Sequence, residues 1–383
     1  MSDLHLYLPS KIVYGPDSVN RLGAAAAELG ERALVVAEPA LTGKSDAGRI
    51  IRDALTKRSI QSVVYDELPS RIGSGAITKA VTIGRAGRAQ MVIGVGGGSV
   101  ISAAKCVAAG IAGDASMYQL VSGGVVAEQA LPFIGLPTSL RAPMLLTDRA
   151  MVVDVETSTA RLVRFASPPT SWAIVDPKLG FSISRKLTAA IMMDILLSSI
   201  EGYLSAKSTF FSDTLFLRAI DTVKESVDEL LLDPEDRDSS RRAAEAGLMM
   251  AIGLAVSSLG PGSALAYSIN AKYDIPKVWL GTVLLPHLLD FHAQAKPAKV
   301  AKIARALGED IAGINNADDA GQASTVARRL IGKLDLPGRL RELDVRLEDL
   351  YYIAEGASKL ELVSHSSVPF GPQELHDLLK QAY

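Results

Sequence analysis

Over about the first 180 residues, short apolar runs rich in β-branched residues alternate with amphipathic stretches. The runs Ala33–Ala37, Ser62–Tyr65, Gln90–Val95, Phe133–Leu136 and Ala173–Val175 read as buried strands. Between them, segments such as Ala47–Lys57 and Gly75–Ala86 carry helical periodicity. That alternation predicts a parallel sheet covered by helices. The texture changes after Arg185, where helical periods dominate and strand-like runs nearly vanish: Leu187–Ser205, Ser212–Leu232, Arg241–Ser258 and Lys296–Leu307. The expected organisation is an α/β domain over residues 1–182 and an all-helical domain over 183–383, with the boundary between Asp176-Pro177 and Ser184. A cleft is expected where two such domains meet.

One strand-to-helix passage stands out. The apolar run ending at Val95 meets Gly96, Gly97, Gly98 and Ser99, and an apolar helix through Lys105 and Cys106 follows. Consecutive glycines remove side chains where the backbone turns, so a ligand can approach main-chain N–H groups. A helix start adds unpaired donors and the positive end of the helix dipole, which favour phosphate. The passage therefore reads either as a seat for a nucleotide phosphate or as a tight turn that holds no ligand.

Composition narrows the class. The chain has 383 residues, 48% hydrophobic and 21% charged, with a formal net charge of -2. A charge so near zero gives no footprint for nucleic acid or an anionic membrane. The single cysteine, Cys106, excludes an internal disulfide and a cysteine-based metal cluster, and its apolar setting suits a buried hydrophobe. The N-terminus lacks a basic, signal-type segment, and no uninterrupted apolar run approaches the ~20 residues that span a bilayer. The expectation is a cytoplasmic protein.

Ordered along the whole chain are the segment Leu8-Pro9 to Gly15, the turn Gly96–Ser99 with Ala104-Lys105, Pro137-Thr138-Ser139, Asp176-Pro177, Asp194, Ile200-Glu201-Gly202-Tyr203 and Leu284-Leu285-Pro286-His287. This set resembles the iron-containing alcohol dehydrogenase family, in the superfamily that includes dehydroquinate synthase and glycerol-1-phosphate dehydrogenase. The resemblance implies a hydride-transferring NAD(P) enzyme acting on a small alcohol or carbonyl, commonly as a homo-oligomer. On the nucleotide side it assigns the glycine turn, Thr138, and Glu38 as the acid that reads the adenosine ribose. A carboxylate there accepts ribose hydroxyls and repels a 2′-phosphate, so NAD is favoured over NADP. Glu38 also reads as an acid that caps or precedes a helix.

The departures from the family are as informative as the matches. The family holds a divalent metal, usually iron, with one aspartate and three histidines, and the metal polarises the substrate oxygen. Here Asp194 matches the aspartate, whereas Ser198, Ser263 and Lys277 stand at the histidine positions and Tyr267 replaces a nearby histidine. Such a set does not suit a divalent metal. Ser102 replaces an acid after the glycine turn, and residues 141–145 replace a glycine-rich nucleotide loop. Arg141 reads either as a charge-assisted phosphate contact or as a solvated surface residue.

With the metal lost, Lys277 would pair with Asp194 and act as the local electrophile, and Tyr267 would act as a proton donor that the lysine makes more acidic. The same pair also reads as a structural ion pair. His287, on a helix expected to begin near Pro286, reads either as a substrate-touching residue or as a histidine packed between helices. Two functions follow: a metal-independent NAD(P) oxidoreductase, or a catalytically silent relative kept for assembly or regulation. A lyase or synthase of the dehydroquinate type would need the missing ligands.

Overall fold

The structure, a computed structural model, describes residues 4–39, 45–122, 126–180, 183–233, 237–310 and 317–383. It divides into two compact units, Tyr7–Ser182 and, with the first residues of the chain, Ile183–Tyr383.

The first unit is built on β1 (Lys11–Tyr14), α1 (Leu22–Ala27), β2 (Arg32–Ala37), α2 (Asp46–Thr56), β3 (Gln61–Tyr65), α3 (Ser74–Ala86), β4 (Met91–Gly96), α4 (Gly98–Ala112), α5 (Met117–Val121), β5 (Phe133–Pro137), β6 (Arg149–Asp154), β7 (Thr159–Arg164) and β8 (Thr170–Val175). Six strands form one sheet in the order β1-β8-β5-β4-β2-β3, and every pairing in it is parallel. β4 and β5 are buried along their whole length. Their near-continuous apolar sequences follow from helices covering both sheet faces. α4 is buried from Val100 to Gly110.

Two features depart from the sequence reading. Ser62–Tyr65 was expected to be buried, yet Val63 and Val64 are 45% and 42% exposed. β3 is the sheet edge and has a neighbour on one side only. The hairpin β6–β7, a separate antiparallel pair, lies in a stretch where no strand was expected. Its alternating pattern is broken by charged residues, which dilutes the period-2 signal.

The second unit consists of α6 (Arg185–Leu204), α7 (Phe210–Leu232), α8 (Arg237–Leu254), α9 (Pro261–Tyr273), α10 (Lys277–Ala295), α11 (Pro297–Ala306), α12 (Ala317–Lys333), α13 (Leu350–Ser358), α14 (Glu361–Ser364) and α15 (Pro372–Ala382). α6 is its axle. It packs on α7, α8, α9 and α10, and it is buried continuously from Thr188 to Leu204. By length and composition α6 would pass for a membrane span, but 94% of its apolar window is buried inside the protein. A helix apolar all round belongs in a core.

The helix expected to begin near Pro286 begins instead at Lys277, and Pro286 lies in its interior. An internal proline removes one helical hydrogen bond and costs ~3 kcal/mol. Twelve residues of α10 are buried, Leu280–Pro286 continuously, so packing against α6, α9 and α12 outweighs that cost.

Two α6 residues set how its neighbours approach. Gly202 admits the Phe216 ring of α7; a Cβ on Gly202 would lie 2.3 Å from Phe216 Cζ. A Cβ on Gly253 of α8 would lie 2.6 Å from the same ring, so two glycines flank one phenyl group. Glu201, 3% exposed, accepts a hydrogen bond from the Ser263 backbone N–H at 2.9 Å. It thereby supplies the N-terminus of α9 with the cap that Gly260 lacks.

Gly202→Ala should cost about 1–3 kcal/mol through overpacking; an unchanged denaturation midpoint would show that the ring has room to move. Burial raises the Glu201 carboxyl above its ordinary value, against the opposing Ser263 and Lys277. The folded state therefore holds a proton that the unfolded state releases, and the wild type loses stability as pH rises through and above the usual carboxylate range. Glu201→Gln keeps the cap and cannot titrate, so its Tm relative to wild type should climb from pH 4 to pH 8. A constant difference across that range would refute this.

Candidate functional site

In the first unit the residues expected at a nucleotide site converge at the carboxyl end of the sheet. Gly96 ends β4, Gly97 is the N-cap of α4, and Gly98 and Ser99 open the helix. Thr138, just after β5, donates its N–H to Gly96 O at 3.1 Å. Glu38, just after β2, donates its N–H to Val95 O, and its Oε1 accepts the Gly97 N–H at 2.5 Å.

The glycines are required for space rather than for unusual backbone angles, since Gly97 has φ -70°. A Cβ on Gly96 would lie 2.7 Å from Val100 Cβ and 3.0 Å from Glu38 Cγ. On Gly97 it would press on Glu38 Oε1 at 3.2 Å. On Gly98 it would meet nothing closer than 3.8 Å, so the first turn of α4 has an open approach. Ser99 is exposed there. These residues fit a dinucleotide's phosphates: open helix-start N–H groups, small residues and one acid at the adjoining strand end.

Two neighbouring residues have roles that the sequence left open or misplaced. Lys105, read with the phosphate turn, is fully buried and donates to the carbonyls of Met144, Thr147 and Arg149 at 2.6, 2.7 and 2.7 Å. Its three protons are consumed by the loop beneath the turn. Burial lowers its ammonium to about 7, and raises the adjacent Cys106 thiol to about 12, so Cys106 is a buried, unreactive thiol. Arg141 is 7% exposed and therefore not a solvated surface residue. Its Nη1 lies 3.8 Å from where a Gly98 Cβ would stand.

In the second unit Asp194 and Lys277 meet. Lys277 Nζ donates to Asp194 Oδ1 at 2.8 Å, with the carboxylate fully buried and the lysine side chain 7% exposed. Gly281, one turn beyond Lys277 on α10, makes room for the pair, because a Cβ there would lie 2.6 Å from Asp194 Oδ1. The signal for Gly281 was a lone glycine in an apolar helix, four residues after the lysine. Tyr267, on α9, offers its ring to the same ammonium at 5.1 Å from the centroid. Ser198 and Ser263 are both fully buried. Glu201, which sequence reasoning used only as a family marker, also belongs here: it caps α9 at Ser263 and feels the charge of Lys277.

One residue does not join them. His287 lies ten residues along α10 from Lys277, about 15 Å at a helical rise. Its charged surroundings are Arg328, Asp290 and Arg339, and burial with the arginines lowers its ionisation. His292, 2% exposed, is satisfied by the Leu288 carbonyl at 2.9 Å.

At the place where the family resemblance puts a metal, the donors are one carboxylate already bonded to an ammonium, two hydroxyls and the ammonium itself. A cation that repels a second cation is no ligand, so the residues present do not fit a divalent metal. Among the described residues no group of three or more His, Cys, Asp or Glu is placed to hold one.

Comparison with known proteins agrees with this architecture. Residues 9–177 match the family described as iron-containing alcohol dehydrogenase, and residues 188–383 match the C-terminal part of the Fe-containing alcohol dehydrogenase family. The chain is 24% identical over 379 residues to 1,3-propanediol dehydrogenase of Klebsiella pneumoniae, covering 98% of each. It is 25% identical over 356 residues to alcohol dehydrogenase 4 of Saccharomyces cerevisiae, covering 92% of this chain and 91% of that one. A crystal structure of 1,3-propanediol oxidoreductase superposes with a TM-score of 0.93 at 24% identity, covering 100% of both chains. The NADH-dependent butanol dehydrogenase A of Thermotoga maritima superposes with a TM-score of 0.90 at 20% identity, covering 100% of this chain and 99% of that one. The chain belongs to the iron-containing alcohol dehydrogenase family.

Proposed function

We propose that this protein is an alcohol dehydrogenase-type oxidoreductase that uses a nicotinamide dinucleotide, NAD in preference to NADP, and that interconverts a small alcohol and its carbonyl without the family's metal. Relatives named 1,3-propanediol dehydrogenase, alcohol dehydrogenase 4 and NADH-dependent butanol dehydrogenase support the reaction class. The observation that carries the metal-independent reading is the 2.8 Å bond between Lys277 and Asp194, which puts an ammonium among the family's metal-ligand positions.

When bound, the nicotinamide supplies or accepts the hydride. The chain's own residues would handle charge and proton. Lys277 opens α10 at its first residue, so its ammonium and the positive end of that helix act together on a substrate oxygen that gains negative charge. Asp194 holds the ammonium in place. Tyr267, whose ring lies against the same ammonium, is the candidate for delivering a proton to the oxygen. Glu38 next to the open turn supports NAD, because its carboxylate repels a 2′-phosphate.

A second reading is favoured by one specific observation. Both partners of the ion pair are buried, as a purely structural pair would be, which suits a catalytically silent relative with an assembly or regulatory role.

NAD(P)H oxidation against a panel of small aldehydes and ketones separates the two. Lys277→Ala should lower kcat/KM by about 10²–10³ and Tyr267→Phe by about 10² or more. Equal rates in the wild type and both variants would sink the catalytic assignment, and no NADH binding by calorimetry would leave only the silent reading. Activity should also survive exhaustive chelation and should not rise on adding ferrous or zinc ions; a chelator-sensitive rate restored by metal would overturn metal independence.

A further inference from the structure

The loop after β5 is built differently from an exposed nucleotide loop. Residues 140–147 are buried throughout, although they follow the strand end that carries Thr138. Leu140 takes the left-handed conformation, φ +59°, and its side chain fills the space left by Gly180, where a Cβ would lie 2.6 Å from Leu140 Cδ2. Strained backbone of this kind persists only where its surroundings enforce it. The enforcement is visible: Lys105 takes the carbonyls of Met144, Thr147 and Arg149, Thr170 Oγ1 donates to Leu145 O at 2.5 Å, and Ser139 Oγ donates to Arg141 O at 2.9 Å.

The product of this construction is the placement of one guanidinium. Arg141 is more than nine-tenths buried and lies against Gly98, with Pro143 Cδ beside it at 3.9 Å from the same Cβ position. A guanidinium cannot shed its proton, so its charge persists in that setting. Its neighbour, the start of α4, carries partial positive charge of its own, roughly half an elementary charge. The acid at this turn, Glu38, binds the Gly97 N–H. With Glu38 counted against the guanidinium and the helix start, the balance at the turn is still positive, which suits an anion such as a dinucleotide diphosphate.

We propose that Arg141 is a direct ligand of the cofactor diphosphate and that Lys105 is the residue that positions it. This rests on the dinucleotide reading above and adds to it. Lys105 sits on the same helix whose first turn faces the phosphates, seven residues beyond Gly98, so one helix offers both the N–H groups and the anchor of the arginine-bearing loop. The glycine-rich run that the family resemblance places here would present main-chain donors; this chain presents a side-chain cation instead.

The test is calorimetric titration of wild type, Arg141→Gln, Arg141→Lys and Lys105→Met with NADH, ADP-ribose and adenosine. Arg141→Gln should weaken NADH and ADP-ribose by about 10- to 100-fold, the loss of one charged hydrogen-bonding partner, and leave adenosine binding unchanged. Arg141→Lys should recover part of that loss. Lys105→Met should weaken the same two ligands, and combining it with Arg141→Gln should add little, as expected for residues acting through one contact. The Arg141 variants decide the ligand assignment by themselves should Lys105→Met fail to fold. Wild type that binds NADH while Arg141→Gln binds it equally well overturns the proposal and leaves the dinucleotide reading standing. Equal losses for adenosine and ADP-ribose overturn it too, because the arginine would then be shaping the site rather than holding phosphate. Wild type that binds none of the three overturns the dinucleotide reading and this inference with it.

Discussion

The helical unit depends on how α6 disposes of two buried acids. Asp194 and Glu201 are seven residues apart, two turns of one face, on a helix buried from Thr188 to Leu204. Each carboxylate meets the start of another helix. Asp194 meets Lys277 at the first residue of α10, and Glu201 meets the Ser263 N–H in the first turn of α9. A lone buried carboxylate costs several kcal/mol; Asp194 is offset by the Lys277 ammonium, and Glu201 by the Ser263 N–H together with the proton that burial makes it keep. The arrangement fixes the distance and direction from which α9 and α10 approach the axle. Gly281 completes it by leaving the space that Asp194 fills.

The α/β unit solves the related problem with a base. Lys105 is buried on α4, and its three donors are satisfied by three loop carbonyls. Carbonyl dipoles solvate the ammonium in place of water, and the loop in return gains a fixed shape. Ser102, one turn earlier, accepts the Met151 N–H at 3.3 Å and ties β6 to the same helix. A carboxylate at 102 could also have accepted that N–H, but one turn from the buried ammonium it would compete with the three loop carbonyls for it. The exchange of acid for serine is thus consistent with a loop held by α4 from inside.

Much of this was legible in the sequence, and the misses have physical causes. Strand-helix alternation gave the parallel sheet because buried strands need continuous apolar runs and helices need periodic ones. The exposure of Val63 and Val64 was not legible, since strand order is a long-range property and an edge strand can be as apolar as a central one. The start of α10 was misplaced because proline is favoured at the first turn of a helix, and only the packing of a buried helix carries it in the interior. Asp194 and Lys277 could be paired in advance because a carboxylate without the family's metal is costly to bury alone. His287 was placed with them by family order, yet helix geometry carries it about 15 Å further along α10. Lys105 and Arg141 were legible as cations and illegible as to role. Nothing local shows whether a lysine faces a phosphate or three carbonyls.

On the proposed metal-independent reading, an ion pair in place of a metal set also changes what the site can do to an oxygen. A divalent metal with one aspartate and three neutral histidines carries a net charge of +1, whereas Lys277 with Asp194 carries none. The pair therefore exerts a weaker field at any distance beyond its own length, and falls off as a dipole rather than as a charge. Close contact matters more for such a site, because an oxygen must sit against the ammonium to feel it before Asp194 cancels the field. The first turn of α10, which Lys277 itself opens, adds positive potential of its own. Burial compensates in part, because Lys277 at 7% exposure acts through a medium less polarisable than water. A metal can tolerate a wet site because it binds oxygen directly; a lysine-aspartate pair needs a dry one. On that reading, the complete burial of Asp194 supplies the dry setting that the pair needs.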